Sequence, residues 1–368
     1  MLAAKPLADL MEEAAAVRDV HWGRRITYSR KVFVPLTNMC RDTCGYCTFV
    51  KHPKDPAAEI MTPEQVLAQA RKGERTGCKE LLFSLGEKPE QRYEEARAGL
   101  ARLGYTRMTD YLADMCALVL EETTLLPHVN AGTLAEDEID RLKPVSASMG
   151  MMLETVSRRL ARTGGPHHAC PDKLPVQRLR TLERTGAKKV PFTTGLLIGI
   201  GETWDERIEA LYAIQDAHDR HGHIQEVIIQ NFQRKPDIAM ADHPEPALDD
   251  MLRTIAAARL ILSPEISLQA PPNLHRRHIA YLKAGINDWG GISPVTIDFI
   301  NPQHEWPEIR GLAESCAAGG FELEERLTIY PRFIAARAAY LDPGLTDRIL
   351  RMARADGLAR QQCLEASA

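Results

Sequence analysis

The chain has 368 residues, 44% hydrophobic and 26% charged, so it can bury a substantial core. Disordered, collagen-like and disulfide-stapled small proteins are excluded. Lysine and arginine number 46 against 50 aspartates and glutamates, a net charge of -4 without a basic block, so we expect no nucleic-acid partner. The apolar runs are too short to cross a bilayer and the N-terminus carries acids, so we expect a cytoplasmic protein without membrane contact.

Short β-branched or apolar segments alternate with longer amphipathic ones. The predicted strands cover residues 31–36, 80–85, 125–130, 145–153, 190–198, 226–230, 266–269 and 285–288. Helix start signals lie between them, at Thr62, at Thr133 before an acidic run, and at Thr203. Alternation favours parallel strands with crossover helices, and eight units predict a (β/α)8 barrel. The alternative is an open doubly wound sheet, but no GxGxxG opens a first unit.

We expect a single barrel domain over residues 25–330. A helical segment over residues 1–24 precedes it, and extra C-terminal helices over residues 331–368 pack on the barrel. In such barrels the reactive groups lie on the loops after the C-terminal ends of the strands.

Three of the eight cysteines lie within eight residues, directly after the first predicted strand. Cys40, Cys44 and Cys47 have the spacing CxxxCxxC, with Tyr46 before the last cysteine. Three thiolates can hold three irons of a [4Fe-4S] cluster and leave the fourth iron open to a non-protein ligand. The alternatives are a zinc ion with a nearby histidine such as His52 as fourth ligand, and three buried cysteines without a metal.

This triplet resembles the one that marks the radical S-adenosylmethionine (SAM) superfamily. The resemblance implies that the open iron binds SAM, whose reductive cleavage yields a 5'-deoxyadenosyl radical. It also implies the following SAM contacts: Tyr46 near the adenine, Gly86 and Glu87 at the methionine amino group, Glu154 at the ribose hydroxyls, Arg178 at the carboxylate, and Gly199 and Gly201 close to the adenine.

Longer segments resemble a narrower family, the CofG-type small subunit of 7,8-didemethyl-8-hydroxy-5-deazariboflavin synthase. They are YSRKVFVPLTNMCRDTCGYCTF, PFTTGLLIGIGETWDER, GHIQEVIIQNFQRKP and INDWGGISPVT. The resemblance implies ring closure, with loss of ammonium, on a hydroxybenzyl adduct of 5-amino-6-(D-ribitylamino)uracil. It further implies a separate CofH-type partner subunit, stable or transient, that makes the adduct, and an electron donor such as a ferredoxin or flavodoxin.

Polar residues at the ends of predicted strands are the candidates for substrate binding. A uracil edge and a ribityl chain need amide and hydroxyl partners. We choose Asn130, Thr193, Asn231 and Asp288, and prefer the last two because the predicted strands six and eight end there.

Two other features are interpreted as unrelated to the site. His167 and His168 are expected to form a solvent-facing loop pair, and residues 324–326 a charged helix face. Two other functions remain open: the tyrosine-cleaving sister enzyme of CofH type, which shares the barrel and the SAM contacts, and a non-catalytic metal-binding scaffold.

Overall fold

The structure is a computed structural model that describes residues 2–361. Over these residues nine strands form one parallel sheet in the order β2-β3-β4-β5-β6-β7-β8-β1-β9. Pairing of β1 with β2 closes the first eight strands into a barrel, and β9 adds to the start of β1. The strands are β1 Arg25–Thr37, β2 Glu80–Leu85, β3 Leu126–Asn130, β4 Ser148–Gly150, β5 Phe192–Ile198, β6 Ile224–Asn231, β7 Ser267–Gln269, β8 Asp288–Ile292 and β9 Glu322–Glu325. The predicted (β/α)8 barrel is confirmed.

Helices surround the barrel, and some of them cover the end at which the strands begin. In the described range they are α1 Leu7–Trp22, α2 Pro63–Arg75, α3 Glu94–Arg102, α4 Met108–Glu122, α5 Glu136–Leu142, α6 Pro175–Ala187, α7 Trp204–His221, α8 Leu248–Ile261, α9 Ala280–Lys283, α10 Ile309–Ala318, α11 Pro331–Ala335, α12 Arg337–Tyr340 and α13 Pro343–Met352. Across residues 2–361, none of them combines the length and the apolar character that a membrane crossing requires.

The position of the eighth strand was predicted wrongly. Residues 285–288 mostly precede β8, because Gly285, at φ +101°, ends the turn after α9. The strand itself contains Gly290 and Gly291, whose low strand propensity hid it. Asp288 is therefore the first residue of β8 and lies at the opposite end of the strand from the barrel mouth.

Two of the three predicted helix starts are N-caps. The hydroxyls of Thr62 and Thr203 accept backbone N–H groups at the starts of α2 and α7, and each belongs to a capping box. Thr133 has another role: α5 begins at Glu136, and the Thr133 hydroxyl donates to Glu87.

The segment after β9 closes the N-terminal end of the barrel. Its apolar side chains, Leu327 and Ile329, belong to a cluster with Leu126, at the start of β3, and with the C-terminal helices. Arg326 and Thr328, which alternate with them, line the barrel interior instead. The interpretation of residues 324–326 as a helix face is wrong, because Glu324 and Glu325 end β9 and Arg326, the next residue, is 2% exposed. Residues 362–368 of the predicted tail lie outside the described residues.

Candidate active site

The cysteine triplet lies on the loop between β1 and α2, at the C-terminal end of the barrel. The Cys40 sulfur accepts the backbone N–H groups of Asp42 (3.3 Å) and Glu87 (3.1 Å), which favour the thiolate, but burial outweighs these bonds and raises the pKa of the thiol. Gly86 makes this approach possible: a Cβ there would lie 2.0 Å from the Met39 carbonyl oxygen. All three cysteines line one cavity.

The thiol spacing argues against a single zinc ion. With Zn–S bonds of about 2.3 Å, sulfurs on one zinc lie at most about 4.6 Å apart. Among residues 2–361, no set of three ligand atoms within 4.8 Å includes the triplet. The ring of His52, the fourth ligand in the zinc alternative, packs edge-on against Tyr93. The residues thus fit a larger group that gives each thiolate its own iron, with the cavity beside it.

A group of buried carboxylates lies next to Cys40. Oxygens of Asp42, Glu87 and Asp172 come within 4.8 Å of one another. Burial, and then the charges of Glu87 and Asp172, raise the pKa of Asp42 to about 7. Glu87 is fixed by the backbone N–H and the hydroxyl of Thr133, both at 2.5 Å. Arg41 pairs with Asp172 and Arg178 lies 3.5 Å from Glu87, and the carboxylates of this group suit an ammonium group, which is the role that the resemblance implies for Glu87.

Glu154 follows β4 and is held in an unusual backbone conformation. Its φ of +67° is rare outside glycine, and such strain concentrates at functional sites. Its carboxylate pairs with Lys173 at 2.5 Å. Burial would raise the pKa of Glu154, but the charges of Lys173 and Arg178 outweigh burial and hold it below its usual value. The carboxylate is therefore ionised and able to accept hydroxyl groups.

Arg178 lies in the first turn of α6, and its side chain is buried in the cavity wall. One of its terminal nitrogens donates to the Met152 carbonyl, and the other lies 3.5 Å from Glu87. Its Nε is buried and has no hydrogen-bond partner in the described chain. This donor suits a carboxylate ligand.

Tyr46 belongs to the cysteine loop, and its side chain packs against Leu197 and Phe232. Its hydroxyl lies 3.0 Å from His167 Nε2. The interpretation of His167 as solvent-facing is wrong: it is 1% exposed, and burial followed by the charge of Lys173 lowers its pKa to about 3. His168 is exposed, as expected.

The glycine-rich segment after β5 forms a turn around Glu202. The Glu202 carboxylate accepts the backbone N–H groups of Gly199 (2.7 Å) and Ile200 (2.9 Å). The cavity lining includes Leu197 but neither Gly199 nor Gly201. The adenine contact at these two glycines stays a prediction.

The cavity has a volume of about 360 Å³ and extends from the cysteine loop into the barrel. Asn130, Thr193 and Asn231 line it. Asn231 is 5% exposed, and its Oδ1 has no hydrogen-bond partner in the part of the chain that the structure describes. An unpaired buried acceptor is costly unless a ligand satisfies it, so Asn231 suits substrate binding.

Asp288 does not line the cavity. It is 0% exposed, and its two oxygens accept Arg326 Nε (2.6 Å) and Nη2 (2.9 Å). The hydroxyl of Thr27 and the backbone N–H of Gly290 also donate to it. The reason for choosing Asp288, its position at a strand end, is wrong, and its hydrogen-bonding capacity is already used within the fold.

The cavity floor carries charged and polar residues that the sequence analysis missed. Lys31 pairs with Glu80 at 2.7 Å and Arg326 with Glu226 at 3.1 Å, while Gln269 leaves its Oε1 without a partner among the described residues. Charged residues inside apolar strands were the available signal, since burying them requires a partner or a role. No local feature of the sequence indicated that Arg326 belongs to the cavity floor.

Barrel, cysteine triplet and polar cavity together define a radical SAM protein, and residues 34–213 match the family model described as the Radical SAM superfamily. The chain belongs to that superfamily and, within it, to the 7,8-didemethyl-8-hydroxy-5-deazariboflavin synthase family. It is 48% identical to the protein of that name from Methanopyrus kandleri, over 91% of this chain and 100% of that protein. It is 49% identical to the FO synthase of Nocardia farcinica, over 96% of this chain but only 43% of that protein.

Solved structures with low identity share the fold. The hydrogenase maturase HydG from Carboxydothermus hydrogenoformans superimposes with a TM-score of 0.71 at 17% identity, over 89% of this chain and 75% of that one. Methylornithine synthase gives a TM-score of 0.65 at 16% identity, over 88% and 91%.

Proposed function

We propose that the chain is a radical SAM lyase that forms the deazaflavin chromophore. Its substrate is 5-amino-5-(4-hydroxybenzyl)-6-(D-ribitylimino)-5,6-dihydrouracil, and its products are 7,8-didemethyl-8-hydroxy-5-deazariboflavin, ammonium, methionine and 5'-deoxyadenosine. The observation that carries the proposal is the 48% identity to the Methanopyrus kandleri synthase over that protein's whole length.

The cavity supports this substrate class. Its volume of about 360 Å³ lies in the range of small-molecule sites. The unpaired amide oxygens of Asn231 and Gln269 can accept the ring N–H groups of a uracil. Phe33 and Trp306 both line the cavity and stack with ring centres 5.5 Å apart, which offers an aromatic surface to the hydroxybenzyl ring.

The same cavity suits the two cofactors. Cys40, Cys44 and Cys47 would hold the [4Fe-4S] cluster, while Glu87, Glu154 and the other predicted contacts would hold SAM. Together these cofactors supply a 5'-deoxyadenosyl radical, which can take a hydrogen atom that no acid or base in the chain could remove. The protein contributes the positioning of the substrate and the exclusion of water.

The adduct would come from a separate CofH-type subunit, bound stably or transiently. The FO synthases of Nocardia farcinica and Mycobacterium tuberculosis support a linked second activity, because this chain spans only 43% and 44% of their lengths. A ferredoxin or flavodoxin would reduce the cluster, and the cytoplasm would provide the reducing surroundings that free thiolates need.

The test is an anaerobic assay of the cluster-loaded protein with SAM and a reductant. One sample receives the preformed adduct, and a parallel sample receives tyrosine and the ribityl-uracil. We expect deazaflavin fluorescence and 5'-deoxyadenosine from the adduct sample alone. A Cys44→Ser variant, which cannot complete the triplet, is the control and should give neither product.

Two results would refute the proposal. Deoxyadenosine formed only with tyrosine would indicate the tyrosine-cleaving sister enzyme. A protein that takes up no cluster on reconstitution would indicate a metal-binding scaffold or another function.

A further inference from the structure

His128, in β3, presents one ring nitrogen to the cavity. The side chain is 6% exposed and lines the cavity floor. Its Nδ1 contacts the hydroxyl oxygens of Ser148 (2.7 Å) and Thr328 (3.2 Å), which fix the ring. Both of these contacts are made by Nδ1, and among the described residues Nε2 makes no hydrogen bond.

Gly150, in the neighbouring strand β4, leaves this nitrogen uncovered. A Cβ at Gly150 would lie only 2.9 Å from His128 Nε2. Any other residue would therefore press on the open edge of the ring. The absence of a side chain at this position keeps Nε2 accessible from the cavity.

The hydrogen-bond network accommodates a ring proton on Nδ1. The Ser148 hydroxyl lies 2.7 Å from the Thr328 hydroxyl oxygen and 3.2 Å from the Thr328 carbonyl, so it can donate to Thr328 and accept from His128 Nδ1. In this tautomer, which the proposal below uses, Nε2 has a free lone pair. Burial, with Lys31 and Arg326 opposing Glu80, lowers the pKa of His128 to about 4, so the ring is neutral near pH 7.

We propose that His128 is a catalytic proton-transfer residue, whose Nε2 takes a proton from the substrate and returns it to the departing amino group. This inference rests on the proposed function. It assigns a role that SAM and the cluster do not supply, and it uses the nitrogen of the His128 ring that faces the cavity without a partner among the described residues.

The proton count of the proposed reaction requires such a group. The adduct loses one hydrogen atom and one electron, both consumed when SAM is cleaved to 5'-deoxyadenosine and methionine. Its C–N bond breaks, with the electron pair leaving on nitrogen, and two protons leave the substrate. Those two protons convert the departing amino group, which takes the electron pair as NH2−, to ammonium. A neutral base that passes protons from one substrate atom to another therefore finishes the cycle unchanged.

The experiment compares wild type with His128→Asn, whose amide can still donate to Ser148 but has no group at the Nε2 position. His21→Asn, at the exposed end of α1, is the matched control. Affinity for the adduct is measured without SAM, and deoxyadenosine and deazaflavin are measured in the full assay. We expect adduct affinity within threefold of wild type, continued deoxyadenosine formation, and at least 100-fold less deazaflavin, as general acid–base catalysis typically contributes.

Two results would overturn the inference: deazaflavin formation within threefold of wild type, or parallel loss of deoxyadenosine and deazaflavin in a folded variant. If His128→Asn does not fold, Gly150→Ala tests the same nitrogen by covering it. A tenfold or greater loss of deazaflavin with continued deoxyadenosine formation would support the role, and unchanged deazaflavin formation would overturn it. Failure of wild type to convert the adduct would instead refute the proposed function.

Discussion

Asp288 and Asn231 were equal candidates for substrate binding, and the structure separates them. Asp288 forms a buried ion pair with Arg326, whereas Asn231 presents an unpaired oxygen to the cavity. We predict that Asp288→Asn mainly costs stability and that Asn231→Ala mainly costs substrate affinity. Both residues are nearly inaccessible, so burial alone does not distinguish them.

The size of the stability loss in Asp288→Asn follows from the ion pair between Asp288 and Arg326. Removing one partner of a buried pair typically costs about 3–5 kcal/mol, because the other charge stays buried. Arg326 keeps Glu226 at 3.1 Å, so we take the lower value, about 3 kcal/mol. With an unfolding entropy of about 2.1 cal/mol/K per residue, a chain of 368 residues loses roughly 4 °C in Tm.

The assay is thermal unfolding followed by circular dichroism, with adduct affinity measured on the same samples. Asn231→Ala breaks no ion pair, so its Tm should stay within about 1 °C of wild type. Its adduct affinity should fall about tenfold, the value of one hydrogen bond of roughly 1.4 kcal/mol. An unchanged Tm for Asp288→Asn, with affinity reduced more than in Asn231→Ala, would refute the reasoning and restore Asp288 as a substrate ligand.

Three further predictions concern other parts of the site. Glu154→Gln should weaken SAM binding 10- to 100-fold because Lys173 loses its charged partner, whereas Glu95→Gln, exposed on α3, should leave the dissociation constant unchanged. Gly86→Ala should more than halve the iron content after reconstitution, because its Cβ would meet the Met39 carbonyl at 2.0 Å; Gly311→Ala, with open space around it, should keep full iron. At pH 5 the unfolded chain protonates His128 but the folded chain does not, so acid destabilises the fold through this residue. Between pH 7 and pH 5 the His128→Asn variant should lose about 2 kcal/mol less unfolding free energy in urea than wild type, and an equal loss would contradict the assigned pKa.

Local patterns predicted the elements whose signals are contained in a few neighbouring residues. The strand over residues 80–85 was predicted with its observed bounds, because its apolar run ends at Gly86. The cysteine triplet needs only one loop, so its position at the barrel mouth follows from β1. Thr133 shows the limit: a threonine before acidic residues fits a helix cap, and only the folded chain shows its hydroxyl bonded to Glu87.

Pairings between distant segments could not be predicted. The strand β9 consists of Glu-Leu-Glu-Glu, and its pairing with β1 depends on a neighbour almost 300 residues earlier in the chain. The same pairing carries Arg326 into the barrel, where Asp288 and Glu226 neutralise it. A charged tetrapeptide followed by an arginine has the composition of a surface helix, so sequence alone favoured the wrong interpretation.

The cavity is lined by residues within the range matched by the family model and by residues outside it. The predicted SAM contacts at Glu87, Glu154 and Arg178 all fall within residues 34–213, the matched range. Asn231 and Arg326 lie beyond it and approach the same cavity from β6 and from the segment after β9. The predicted substrate contacts therefore come from both sides of the boundary of the matched range, with Asn130 and Thr193 inside it and Asn231 outside it. His128 lies within the matched range, but its side chain lines the cavity floor and contacts Thr328, which lies beyond that range. In the proposed reaction it would therefore act on the substrate at the place where the two stretches of the chain meet.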